Sequence, residues 1–120
     1  MQAPKQAALL RIYTDESARA GRKSLFEAVV SKARDDGLAG ATVLRGPMGF
    51  GHSQRIQNAS IINLSANLPL VIEIVDEEEK LRAFVASLDS SMNSVGLVTI
   101  EKVEVLHYGK GPRNSENSAQ

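Results

Sequence analysis

The run Leu70-Val-Ile-Glu-Ile-Val75 constrains the fold more than any other stretch of the chain. Six residues rich in β-branched side chains, with one charge at Glu73, read as a strand with apolar groups on both faces, and such a strand belongs in the middle of a sheet. It needs partners. Ala7 to Thr14 supplies one, with Leu10 and Ile12 on one face and Leu9, Arg11 and Tyr13 on the other. Ala41 to Arg45 supplies a second, and Ser60 to Leu64 is a shorter extended piece before Leu68-Pro69. Leu97 to Ile100 and then Val103 to His107 read as a final strand whose alternation changes phase, which predicts a bulge or break near Glu101-Lys102.

Two helices separate these strands. Ser24 and Glu27 have the spacing of a capping box, Leu25, Phe26, Val29, Val30 and Ala33 make one apolar stripe, and Gly37 supplies the stop. Asp76 is placed to cap a second helix whose first turn is Glu77, Glu78 and Glu79, three carboxylates where the helix dipole favours them. Leu81, Phe84, Val85 and Leu88 form its apolar face. The order β-α-β-β-α-β predicts an α+β chain: a ferredoxin-like sandwich, an antiparallel sheet with two helices on one face. The other face carries Leu9, Arg11 and Tyr13 beside Val71, Glu73 and Val75, too apolar for water and too charged for an ordinary core. An oligomer interface resolves that conflict, with Arg11 and Glu73 expected to pair.

With 120 residues the chain has the length of one domain, expected over residues 7–108 between a flexible N-terminus at 1–6 and a disordered polar tail at 109–120. Fourteen basic residues balance fourteen acidic ones, so no global field recruits nucleic acid, and an anion site must be built locally. There is no cysteine, hence no disulfide or thiolate chemistry, and no apolar stretch of signal-peptide or membrane-span character. A cytoplasmic protein is the economical expectation.

The candidate business end is Gly40-Ala-Thr-Val-Leu-Arg-Gly-Pro-Met-Gly-Phe-Gly51, a strand that empties into a glycine-rich loop running to about Asn58. Gly46, Gly49 and Gly51 allow positive φ and close approach of backbone amides to a ligand, and Arg45 and Arg55 supply charge at either end. The same glycines also suit a wide hairpin loop, and Arg45 equally suits a pair with a neighbouring carboxylate. Arg22 and Lys23 are weaker candidates, the acidic run at 77–79 reads as a solvated helix start, His107 as a packed or interface residue and Tyr108 as closing the sheet edge. No catalytic residue is assigned: His52 alone near the loop lacks an acid-base partner. Two histidines without cysteine make a transition-metal site a poor fit, so no metal ligand is assigned either.

Taken together, Leu10-Arg-Ile-Tyr, Ser24-Leu-Phe-Glu-Ala-Val-Val, Gly37-Leu-Ala-Gly-Ala-Thr-Val-Leu-Arg-Gly, Gly49-Phe-Gly, Leu64-Ser-Ala-Asn-Leu-Pro-Leu-Val-Ile-Glu-Ile-Val-Asp76 and Gly96-Leu-Val-Thr resemble the domain-of-unknown-function 190 family, a branch of PII-like proteins, over residues 8–108. The resemblance implies a trimer with its sheets facing inward and clefts between subunits that take adenine nucleotides. By position, the loop base is then Arg45, Gly46, Gly49, Phe50 and Gly51, and the turn before the last strand is Ser94, Val95, Gly96 and Leu97. It further implies a loop at 46–58 that changes shape and engages a partner such as a membrane transporter, a fluoride-export channel being a hint. The turn at 93–99 has one glycine and no basic residue, against triphosphate binding, and residues 46–60 hold no tyrosine for covalent modification. The expected function is a regulatory binding protein sensing a small anion, in the first place an adenine nucleotide, with no cofactor required. A small phosphate-binding enzyme and a structural or metal-binding trimer are the alternatives.

Overall fold

The computed structural model of the chain describes residues 6–51, 53–60, 66–88 and 95–109. Most of the expected terminal segments, nearly all of the extended piece at Ser60 to Leu64, and His52, Asn93 and Ser94 lie outside the described residues. The elements are β1 (Ala7–Asp15), β2 (Arg19–Ala20), β3 (Lys23–Ser24), α1 (Leu25–Asp35), β4 (Thr42–Arg45), β5 (Met48–Gly49), β6 (Gln57–Asn58), β7 (Pro69–Glu77), α2 (Glu78–Leu88) and β8 (Leu97–Lys102). The main sheet has the order β4-β7-β1-β8, antiparallel throughout. Stripped of its two small ribbons, β2-β3 and β5-β6, this is the ferredoxin-like βαββαβ arrangement, with the Leu70 to Val75 strand interior as expected.

One sheet face carries the helices. Leu10 and Ile12 of β1 and Ile72 and Ile74 of β7 are buried against Leu25, Val29 and Ala33 of α1 and Leu81, Phe84 and Leu88 of α2. Each of these Leu, Ile, Val and Phe side chains contributes about 1.5–3 kcal/mol through the area it removes from water. Helix α1 stops as its glycine predicts: Gly37 has φ of 80°, its N–H reaches the Arg34 carbonyl at 3.1 Å, and the Leu38 N–H reaches that of Ala33 at 3.0 Å. These are the two bonds of a Schellman motif.

Three local expectations are corrected, and one element was not anticipated. The Ser24 hydroxyl makes no bond to a helix N–H and donates instead to the Glu27 carboxylate, because Ser24 also ends β3, paired with Arg19 and buried. Asp76 is no exposed helix cap but a fully buried member of β7, and α2 begins at Glu78, leaving Glu77 as the last strand residue. The final strand ends at Lys102 and does not resume at Val103, because its partner β1 begins at Ala7: Lys102 pairs with Ala8, and the Val103 N–H meets the Ala7 carbonyl at that strand's first residue. The chain from 103 onward turns toward β4, where the Tyr108 hydroxyl donates to the Ala39 carbonyl at 3.4 Å. Finally, the two-residue turn Gly21-Arg22 closes an unanticipated ribbon, with the positive φ of Gly21, 64°, at its first position.

Candidate functional site

The loop base is built where β4 ends beside the start of β7. Arg45 is the last residue of β4, and the next N–H, of Gly46, donates to the Pro69 carbonyl at 2.9 Å. The loop then folds back as the β5-β6 ribbon, closed by the Ala59 N–H on the Pro47 carbonyl at 2.7 Å. None of the three loop glycines has a positive φ; among the described loop residues that conformation falls to Gln54, at 59°. Glycine is needed at 46 and 49 for another reason. A Cβ on either would stand 3.1 Å from Cγ of Pro69, whereas one on Gly51 would meet nothing within 4 Å. The loop is thus seated on a proline through two positions that have no side chain.

This makes a graded expectation. Gly49→Val should force the Pro69 ring aside and cost about 1–3 kcal/mol, with faster hydrogen exchange at the Gly46 amide. Gly51→Val should stay within about 0.5 kcal/mol of the parent. Equal damage from both, measured by chemical denaturation, would remove close approach as the reason for glycine at 49.

Arg45 pairs with a carboxylate from the end of β1: its Nη1 lies 2.9 Å from Oε2 of Glu16. The other oxygen of Glu16 accepts the Leu68 N–H at 3.2 Å, and the Glu16 N–H donates to the Leu68 carbonyl at 3.0 Å. The Arg45 guanidinium first, and the Leu68 amide second, hold the Glu16 carboxyl below the usual carboxylate range. Around this pair, Oδ1 of Asp15 accepts from the Ser17 and Ala18 amides, Asn67 Oδ1 accepts from the Ser17 amide, and Gln57 Oε1 accepts from that of Asn67. A polar knot therefore ties β1, β6 and the start of β7 together. Glu16, Asn67 and Pro69 were not singled out by sequence reasoning; Asp15 two residues before Ser17 is the Asx-turn signal that could have drawn attention there.

The remaining sequence-predicted residues are dispersed. Arg55 is exposed on the loop and makes no ion pair among the described residues; Phe50 is 68 % exposed, and Met48 and Ile56 stand out beside it. Gly96 and Leu97 sit at the same end of the sheet as Arg45 but on the opposite edge, where the Gly96 N–H meets the Tyr13 carbonyl. Three strand spacings separate β4 from β8, about 14 Å. The two halves of the expected site do not meet within the chain.

The helix-free face of the sheet has a row structure. Leu44, Val71, Tyr13 and Leu97 lie side by side across the four strands, and the next row is Thr42, Glu73, Arg11 and Thr99. Leu44 and Leu97, at the two edges, are 48 % and 55 % exposed. Arg11 bonds Glu73 at 3.0 Å, as expected, and also Glu101 at 2.6 Å, and the two carboxylates hold its guanidinium above its ordinary pKa. At the far end of this face a groove of about 470 Å³ opens between residues 39–42, Glu73 and Val75 on one side and Val105, His107 and Tyr108 on the other. His107 is thereby placed at the end of the sheet away from Arg45. Among the described residues no three His, Cys, Asp or Glu side chains gather to hold a metal ion, and no helix is long and apolar enough to cross a membrane.

Comparison with known proteins fits this geometry. The family model DUF190, described as "Uncharacterized ACR, COG1993", matches residues 7–105. A UPF0166 protein of Aquifex aeolicus is 38 % identical over 99 residues, covering 82 % of this chain and 92 % of its own length. A UPF0166 protein of Methanocaldococcus jannaschii is 30 % identical over 100 residues, covering 83 % and 92 %. Among solved structures, CPII from Thiomonas intermedia K12, bound to ADP and bicarbonate, superposes with a TM-score of 0.62 over 85 % of this chain and 90 % of its own, at 14 % identity. That likeness is one of fold.

Proposed function

The chain belongs to the DUF190 family, and from that premise we propose that it is a PII-like regulatory binding protein rather than an enzyme, a cytoplasmic homotrimer that takes an adenine nucleotide in clefts between subunits. The observation that carries the reading is the split site. Arg45 and the glycine-seated loop stand on one edge of the sheet and the Gly96-Leu97 turn on the other, so only a neighbouring subunit can complete a cleft around one small ligand. A ring of three subunits with their helix-free faces turned inward would bring edge β4 of one beside edge β8 of the next, and would cover the row of Leu44, Val71, Tyr13 and Leu97. The likeness to CPII, a protein bound to ADP and bicarbonate, supports the choice of ligand class. Met48, Phe50 and Ile56, exposed on the loop, are the apolar groups that a partner such as a membrane transporter would cover.

Calorimetry with ADP, AMP, ATP and cyclic AMP, alongside sedimentation, tests this. The expected result is a trimer that binds ADP or AMP more tightly than ATP and gains about 2.7 kcal/mol of stability at a hundredfold excess over Kd. A trimer that binds none of the four would end the nucleotide reading and leave a structural one.

A further inference from the structure

We propose that Glu16 is a tethered competitor for the anion site, a carboxylate that occupies Arg45 in the empty protein and that a ligand phosphate must displace. The proposal rests on the nucleotide reading above and goes beyond it by naming what opposes the ligand. Arg45 is not a free cation awaiting an anion: Nη1 already has a carboxylate oxygen at 2.9 Å. Nor is Glu16 a loose surface side chain. Its second oxygen holds the Leu68 N–H and its own N–H holds the Leu68 carbonyl, so it stays at the mouth of the site after Arg45 leaves it. A phosphate arriving at Arg45 exchanges one charge-assisted contact for another and leaves the Glu16 charge unpaired nearby. Asp15 adds a further negative charge beside Glu16, which opposes the ionisation that Arg45 favours.

The displacement also has a mechanical consequence. Leu68 is held by Glu16 through both of its main-chain groups, and the next residue, Pro69, is the seat of Gly46 and Gly49. The Arg45–Glu16 pair is therefore a bridge from the end of β4 to the segment that carries the loop. Capture of Arg45 by a ligand removes that bridge while leaving the Leu68 bonds in place.

ADP is the probe, with inorganic phosphate as the second, in calorimetric titrations of the full chain. Glu16→Gln keeps an acceptor oxygen for the Leu68 N–H while removing the charge and turning an amide N–H toward Arg45; because that pair is largely exposed, its loss should lower the ligand-free melting temperature only slightly. It is expected to bind ADP about three- to tenfold more tightly. Arg45→Ala is expected to bind at least tenfold more weakly, and in that background Glu16→Gln should have no further effect. If Arg45→Ala weakens binding but Glu16→Gln does not tighten it, the competitor is overturned and the site stands. Tightening that persists without Arg45 would mean general repulsion, which also overturns the competitor. Unchanged ADP binding in Arg45→Ala, or no binding of either probe by any form, overturns the site and the competitor together.

Discussion

Asp76→Ala is expected to destabilise the protein by about 2–4 kcal/mol, lowering the melting temperature by on the order of 10 °C at fixed protomer concentration. Asp76 is fully buried, and each of its carboxylate oxygens has a backbone partner: Oδ2 accepts the Ala39 N–H at 2.9 Å and Oδ1 the Glu77 N–H at 2.6 Å. Alanine leaves the half-buried Ala39 amide without its acceptor and leaves a gap in the buried position the carboxylate filled. The loss spreads, because Ala39 also receives the Tyr108 hydroxyl and leads into β4 through Gly40 and Ala41. Asp76→Asn should recover only part of the stability, since its amide turns one donor toward another N–H. A melt of Asp76→Ala within about 2 °C of the parent would show that the carboxylate is not what anchors this crossing of chains.

Val71→Asp is expected to break the proposed trimer into folded monomers, weakening association a thousandfold or more, equivalent to about 4 kcal/mol. Val71 lies in the middle of the apolar row on the helix-free face, while its neighbours Leu70 and Ile72 point into the core. The substitution therefore spares the core, and threefold symmetry would place three new carboxylates near one axis. Sedimentation at micromolar concentration reads the outcome, with circular dichroism as the check on folding. A parent protein that is itself monomeric would sink the assembly; a Val71→Asp variant that stays trimeric would move the interface to another face.

Features encoded within a few residues were legible in the sequence. Period-two alternation placed β1, a nearly continuous apolar run placed β7, period-3.6 stripes placed both helices, and Gly37 stopped α1 where a left-handed residue is required. Features set by distant partners were not. Nothing near Lys102 says that β1 begins at Ala7, and the Val103–Val105–His107 alternation still looks like a strand. Positive φ was expected at Gly46 and Gly49 and neither has it; the proline that crowds them lies twenty or more residues along the chain, beyond the reach of a local pattern. The Arg45–Glu16 pair spans 29 residues, and Glu16 follows a strand as any turn residue does. Arg11 and Glu73 were legible because each was the lone charge of its strand; Glu101 was not, since it stood at a supposed bulge.

The placement of β1 has a consequence for how the chain acquires its structure. Its two sheet neighbours, β7 and β8, come late, and the contacts of Arg11 alone span 62 and 90 residues. Such non-local pairing makes folding slow relative to helical proteins of this size, because a large loop must close before β1 gains either of its strand partners. On a ribosome adding about 5–20 residues per second, β1 would emerge several seconds before β8 exists to cover its second edge. Until β7 emerges, Leu9, Leu10, Ile12 and Tyr13 form a nascent strand with open hydrogen-bonding groups on both sides, and until β8 emerges one side stays open; Arg11, the one charge among residues 9–13, discourages pairing with a neighbouring nascent chain.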